Sequence, residues 1–144
     1  MKPRVVLDTN ILLDLFYFAE PSQKSLHEAI IAKEIQAFTH RSIWEEFEEV
    51  LARKPFNQSL AQIATIKQTN AGLFEWCTLK NPPCGVKCID PDDQIFVELS
   101  VELTPCYLIT KDTDLLRLHK RLLQLGVTVA PNFNLSQGLR LNLI

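Results

Sequence analysis

The chain has 144 residues, 47% of them hydrophobic, with 15 lysines and arginines against 17 aspartates and glutamates and a formal net charge of −2. That length and apolar content suit one domain with its own core, spanning 1–144, and the near-balanced charge neither demands nor forbids a polyanionic partner. No apolar run approaches the ~20 residues of a membrane helix, and Asp8 and Asn10 fall where a signal peptide would be apolar, so the reading is soluble and cytoplasmic with no membrane partner.

RVVLD is short, apolar and β-branched, as a buried strand should be, and NILLDLFYF continues with residues that also fit a helix. A helix is expected over about Gln23–Lys33, with Leu26, Ile30 and Ile31 on one face, followed by a short strand at IQAFT. Ser42 is the expected cap of a helix through IWEEFEEVLARK that Pro55 closes. Gln58 to about Ala71 reads as a helix ended by Asn70 and Gly72. FEWCTL reads as a strand, and NPPCGVKC as a loop on its prolines and glycine. Asp90-Pro91 opens a helix to about Leu103 with proline at its first position. CYLIT is a strand, DLLRLHKRLLQL a single helix stopped by Gly126, and VTVA a last strand, after which NFNLSQGLRLNLI has no clear period. Strands that alternate with helices predict an α/β fold, three layers with a central, mostly parallel sheet covered on both faces.

Cys77, Cys84, Cys88 and Cys106 lack the spacing of a zinc ribbon and read as free thiols. The carboxylates are more informative. Asp8 ends the first strand and Asp112 follows CYLIT, with Asp114 two residues on, which brings acids from opposite halves of the chain to the carboxyl edge of one sheet. Each alone is explained as a helix N-cap. The helix SIWEEFEEVLARK carries four glutamates: Ile43, Phe47, Val50 and Leu51 make its apolar face, Glu45 and Glu49 point away, and Glu46 and Glu48 flank it. Periodicity does not choose between Glu46 and Glu48. Asp90, Asp92 and Asp93 are three acids in four residues at a helix start, more than capping requires.

Crowded carboxylates need a positive partner. Oxygen-only ligation suits Mg²⁺ or Mn²⁺ and disfavours zinc, and His27, His40 and His119 show no metal-ligand spacing. The chain has no Walker loop, G-x-S-x-G elbow or G-x-G-x-x-G turn. Metal-assisted attack of water on a phosphodiester is the chemistry these residues suggest.

LDTN after the first strand, an acid in EFEEVL, DPDDQIF opening a helix, and LITKDTDLL after a strand together resemble the PIN-domain ribonucleases, especially toxin components of bacterial toxin–antitoxin pairs. The resemblance runs from about Val5 to Ala130, with 131–144 as a C-terminal tail. It implies Asp8, Glu46, Asp93 and Asp112 as metal-binding and catalytic acids, with Asn10 supporting Asp8 by a hydrogen bond and Thr110 orienting Asp112. Glu46 is favoured over Glu48 by the match to the later Val50-Leu51 pair, while Asp90 and Asp114 are weaker candidates. Many relatives have glycine where Lys111 stands, which puts substrate access in question and leaves the chemistry intact.

The implied activity is Mg²⁺- or Mn²⁺-dependent hydrolysis of RNA, with a small antitoxin protein and homodimerisation or higher association as implied partners. Lys111, Arg117, Lys120 and Arg121, with Arg53 and Lys54, are candidate charges for steering RNA, although each also reads as a solvated helix face. Tyr17, Phe18, Trp44 and Trp76 are aromatics able to stack bases, most of them expected in the core. The tail LRLNLI is compatible with a contact surface. Two rivals stand beside the ribonuclease: a non-catalytic module of the same fold that binds RNA or protein, and a structure-specific DNA nuclease.

Overall fold

In the computed structural model, which describes residues 2–133, five strands form one parallel sheet in the order β3-β2-β1-β4-β5. The strands are β1 (Arg4–Leu7), β2 (Gln36–Thr39), β3 (Phe74–Trp76), β4 (Cys106–Ile109) and β5 (Val127–Ala130). Val6 of β1 pairs with Phe38 of β2 on one side and Leu108 of β4 on the other. β1 and β4 are almost wholly buried, as strands covered on both faces must be, whereas β3 and β5 at the edges are more open.

Order matters here. From β1 the chain moves outward to β2 and β3, then returns across the sheet to β4 and continues outward to β5 on the opposite side. With right-handed crossovers this puts the helices between β1 and β3 on one face and those after β3 on the other. The first layer holds α1 (Thr9–Leu13), α2 (Lys24–Ile31), α3 (Arg41–Ala52) and α4 (Leu60–Asn70); the second holds α5 (Gln94–Glu102), α6 (Thr113–Leu116) and α7 (His119–Gln124). The predicted three-layer α/β/α architecture is therefore the one observed. The direction of travel reverses between β1 and β4, so their carboxyl ends flank the switch point where open parallel sheets leave a crevice.

The core is continuous across both faces. Ile43, Trp44, Phe47 and Leu51 of α3 are buried, on the face the spacing predicts, and Trp44 packs edge-on to Phe47 and Phe74. On the other face Phe96, Val97 and Leu99 of α5 lie fully buried beneath β1 and β4. Trp44 is thus core and unavailable to a base, while Tyr17 and Phe18 are exposed and cluster with Phe56.

Several local expectations are corrected. The cap of α3 is His40, whose ring Nδ1 accepts the Ser42 amide at 3.0 Å, not Ser42 itself. α4 opens on a reciprocal capping box between Ser59 and Gln62. The first turn after Asp90 is a tight 3₁₀ turn, Pro91–Asp93, before α5 begins at Gln94. DLLRLHKRLLQL is two helices, α6 and α7, broken at Arg117-Leu118, and the His119 ring meets the Leu116 carbonyl at 2.9 Å across the break. FEWCTL keeps only Phe74–Trp76 as strand.

After β3 the chain runs irregularly to Asp90, and a ladder of side chains on α5 holds it. Glu102 accepts the Lys80 and Asn81 amides, and Glu98 accepts the Cys84 amide at 2.8 Å. Gln94 accepts from Cys88 N at 2.7 Å and donates to Val86 O at 2.8 Å. Residues 94, 98 and 102 recur every fourth position, so one helix stripe meets successive loop amides. The four cysteines are free thiols, Cys88 and Cys106 buried. Among the described residues no helix is long and apolar enough to cross a membrane. The tail motif LRLNLI lies outside the described residues.

Candidate functional site

Asp8 is delivered by β1. The strand ends in Leu7, and the Asp8 amide still donates to Ile109 O of β4 at 3.2 Å, so the residue is fixed to the sheet before the chain turns into α1. It caps that helix: Oδ1 accepts the Ile11 amide at 2.9 Å. Oδ2 accepts from the Thr110 hydroxyl, which in turn accepts the Asp112 amide at 3.0 Å. Asp112 caps α6 through Oδ1 and the Asp114 amide, 2.8 Å. Asp8, at 3% exposed, and Thr110, fully buried, are therefore one unit with the half-buried Asp112.

Burial pushes the Asp8 carboxyl up to about 6; the Thr110 and Ile11 hydrogen bonds oppose this, and the charges of Asp112 and Asp14 add to it. Asp93, on the turn before α5, is pushed up to about 7 by burial first, then by Asp112, Asp90 and Glu46, and it shares a side-chain hydrogen bond with Asp112. Glu46 is raised as well, by burial and by Asp92 and Asp90, against the opposing effects of Thr9 and Arg53. The Thr9 hydroxyl is near enough to favour the Glu46 carboxylate yet makes no hydrogen bond of good geometry, leaving a buried polar atom unsatisfied at this edge.

Glu46 and Glu48, which periodicity left level, are separated by the fold. Glu48 turns across to α4 and pairs with Lys67 at 3.8 Å. Glu46 faces the acids, on the wall of an open cleft of about 460 Å³ that Glu49, Arg53, Asp92 and Ile95 also line. Glu45 pairs with Arg41 on the exposed side of α3.

Asp8, Glu46, Asp93 and Asp112 thus share one edge, with Asp90 and Asp92 beside them. Asn10 differs from expectation: it is exposed, and the bonds to the Asp8 carboxylate come from Thr110 and the Ile11 amide. Thr110 touches both Asp8 and the Asp112 backbone, a wider role than orienting Asp112 alone. Of the expected steering cations, Arg117 pairs with Asp114 at 3.5 Å, Arg121 donates to Gly85 O at 3.5 Å, and Lys120 is exposed. Lys111 pairs with Asp14, a buried acid that the sequence reading passed over. Nothing in the pattern pointed to it, since six residues of α-helix leave Asp14 roughly 120° from the Asp8 face.

Among the described residues no three histidines, cysteines or acids are already gathered into a ligation cage. Burial and mutual repulsion raise Asp8, Glu46 and Asp93 together at this edge. An oxygen-only donor set of this kind fits a hard divalent cation.

A profile of the PIN domain matches residues 4–114, from the first residue of β1 to the turn carrying Asp112 and Asp114. The chain belongs to the PIN-domain family. PIN domains are generally nucleases, typically dependent on divalent metal ions, and they bind nucleic acid. No curated protein matches the chain closely enough to count as a relative. The matched span takes in every acid described above.

Proposed function

We propose that this PIN domain is a metal-dependent endoribonuclease that hydrolyses RNA phosphodiesters at the carboxyl edge of β1 and β4. The observation that carries the reading is the convergence of Asp8, Glu46, Asp93 and Asp112 at this edge, where burial and the neighbouring acids push Asp8 up to about 6 and Asp93 up to about 7. Asp8, Glu46, Asp93 and Asp112 are the residues that would hold Mg²⁺ or Mn²⁺. Such an ion, when bound, would supply Lewis-acid activation of water and stabilise charge on the phosphate.

The chain's own contribution is positioning. Thr110 and the Ile11 amide fix the rotamer of Asp8, the cap to Asp114 fixes Asp112, and the 3₁₀ turn aims Asp93 at it. The cleft along α3, with Glu46, Asp92 and Arg53 on its walls, is the groove we assign to a single strand. Lys111, Lys120 and Arg121 are assigned to steering the incoming polyanion, and we read Asn10 as a surface contact to it. The sequence resemblance supports a further reading as the cytoplasmic toxin of a toxin–antitoxin pair, homodimeric and held in check by a small protein.

The test is cleavage of labelled single-stranded RNAs and DNAs with Mg²⁺, Mn²⁺ or EDTA, comparing wild type with Asp8→Asn. Metal-dependent RNA cutting lost in the variant is expected. DNA cutting alone would replace the substrate class, and a folded wild type that cuts neither would favour a binding module.

A further inference from the structure

Lys111 stands in the chain between Thr110, which is bonded to Asp8, and Asp112, which meets Asp93. A flexible ammonium anchored there is drawn by Coulomb attraction toward the carboxylates, where it would occupy the place of a metal ion. It does not go there. Nζ lies 2.5 Å from Oδ2 of Asp14, with the Lys111 side chain 46% exposed and that of Asp14 11%. The contact is an ion pair by distance without the alignment of a hydrogen bond, so charge alone holds it.

Asp14 reaches this position through an irregularity in the backbone. After Leu13 the helix widens into a π turn, Asp14–Phe18, closed by Ala19 in the left-handed region at φ 51°, and the Glu20 amide bonds back to Asp14 O at 2.8 Å. Such π turns are uncommon and gather at functional sites. This one seats a buried carboxylate close enough for its charge to reach Asp8, and on the side where Lys111 emerges.

We infer that Asp14 is a positioning residue: it anchors the Lys111 ammonium on the rim of the acid cluster and keeps that cation out of the space a divalent ion takes. The inference rests on the reading of the cluster as a divalent-ion site. It assigns Asp14 a role through Lys111, and none at the metal.

Titration of Mn²⁺ into the metal-stripped full chain by calorimetry tests this in four proteins: wild type, Asp14→Asn, Lys111→Met and the double variant. Asp14→Asn frees the ammonium and is expected to weaken Mn²⁺ binding about tenfold, a coupling within the range for contacting residues. Lys111→Met and the double variant are expected to bind within about twofold of wild type, because no ammonium remains to compete. Equal weakening by Asp14→Asn in both backgrounds, or none in either, would overturn the inference while leaving the ion site intact. A folded wild type that binds no Mn²⁺ would overturn the ion site and the inference together. If Asp14→Asn does not fold, nuclear magnetic resonance of the labelled lysine ammonium groups in wild type decides. A Lys111 signal unmoved by Mg²⁺ supports the anchored position, and its displacement by Mg²⁺ overturns it.

Discussion

The hydroxyl of Thr110 donates to the Asp8 carboxylate and accepts the backbone amide of Asp112, so a single buried atom links the ends of β1 and β4. The two strands leave the sheet at its switch point, and this atom keeps the carboxylates they deliver in fixed register.

Replacing Thr110 by valine preserves shape and removes both bonds. A buried oxygen and an amide then lack partners, at a cost of about 1–3 kcal/mol. Urea unfolding of Thr110→Val should show that loss, and Thr110→Ser should recover most of it.

Asp8→Asn keeps an acceptor for the Ile11 amide and removes a buried charge. Divalent-ion-dependent cleavage is expected to fall at least about a hundredfold, since Asp8 is proposed to hold the ion. The metal-free variant at pH 8 should instead be more stable than wild type by about 1–3 kcal/mol, as follows from a carboxyl raised by burial. Paired rate and denaturation measurements separate the two effects. A loss of stability would mean the charge of Asp8 is better accommodated than the geometry implies.

Protonation gives a further signature. Asp8 and Asp93 titrate higher in the folded protein, near 6 and 7, than in the unfolded chain, where aspartate titrates near 3.8. Between those values the folded state binds more protons, so their stabilising contribution is full below about pH 4 and is lost as pH rises through 6 and 7. Unfolding curves in EDTA from pH 4 to 8 should show this fall, and saturating Mg²⁺ should remove it. Asp93→Asn should take its share of the slope away.

The glutamates of α3 should divide by direction. Glu46→Gln is expected to lower cleavage about a hundredfold or more. Glu48→Gln breaks a half-exposed pair with Lys67 and should cost less than about 1 kcal/mol of stability. Side-by-side rates for the two variants check this, and equal rates would remove Glu46 from the site.

The parts of the fold that follow from apolar periodicity could be read from the sequence. RVVL and CYLI are buried on both faces because helices cover both, and their composition already demanded that. The acids at their ends followed from the same reading. What periodicity cannot encode is a contact between residues remote in sequence. The Thr110 hydroxyl meeting Asp8 across 102 positions and Lys111 resting on Asp14 are of that kind. The division of DLLRLHKRLLQL into α6 and α7 escaped for another reason: its leucines keep a helical spacing through the break, and Leu115 and Leu122 are buried seven residues apart, as they would be on one continuous helix. His40 as a cap was missed because a ring nitrogen is a rarer acceptor there than a serine hydroxyl.

The side chains of Gln94, Glu98 and Glu102 turn the long irregular passage between β3 and α5 into part of the frame. Because the Lys80, Asn81, Cys84 and Cys88 amides are held by a helix that lies under β1 and β4, these four should exchange their hydrogens more slowly than the rest of the passage. The turn bearing Asp90, Asp92 and Asp93 therefore arrives already braced from both directions. A nucleic-acid strand would meet it as a rigid bank, with little ordering left to be done on arrival.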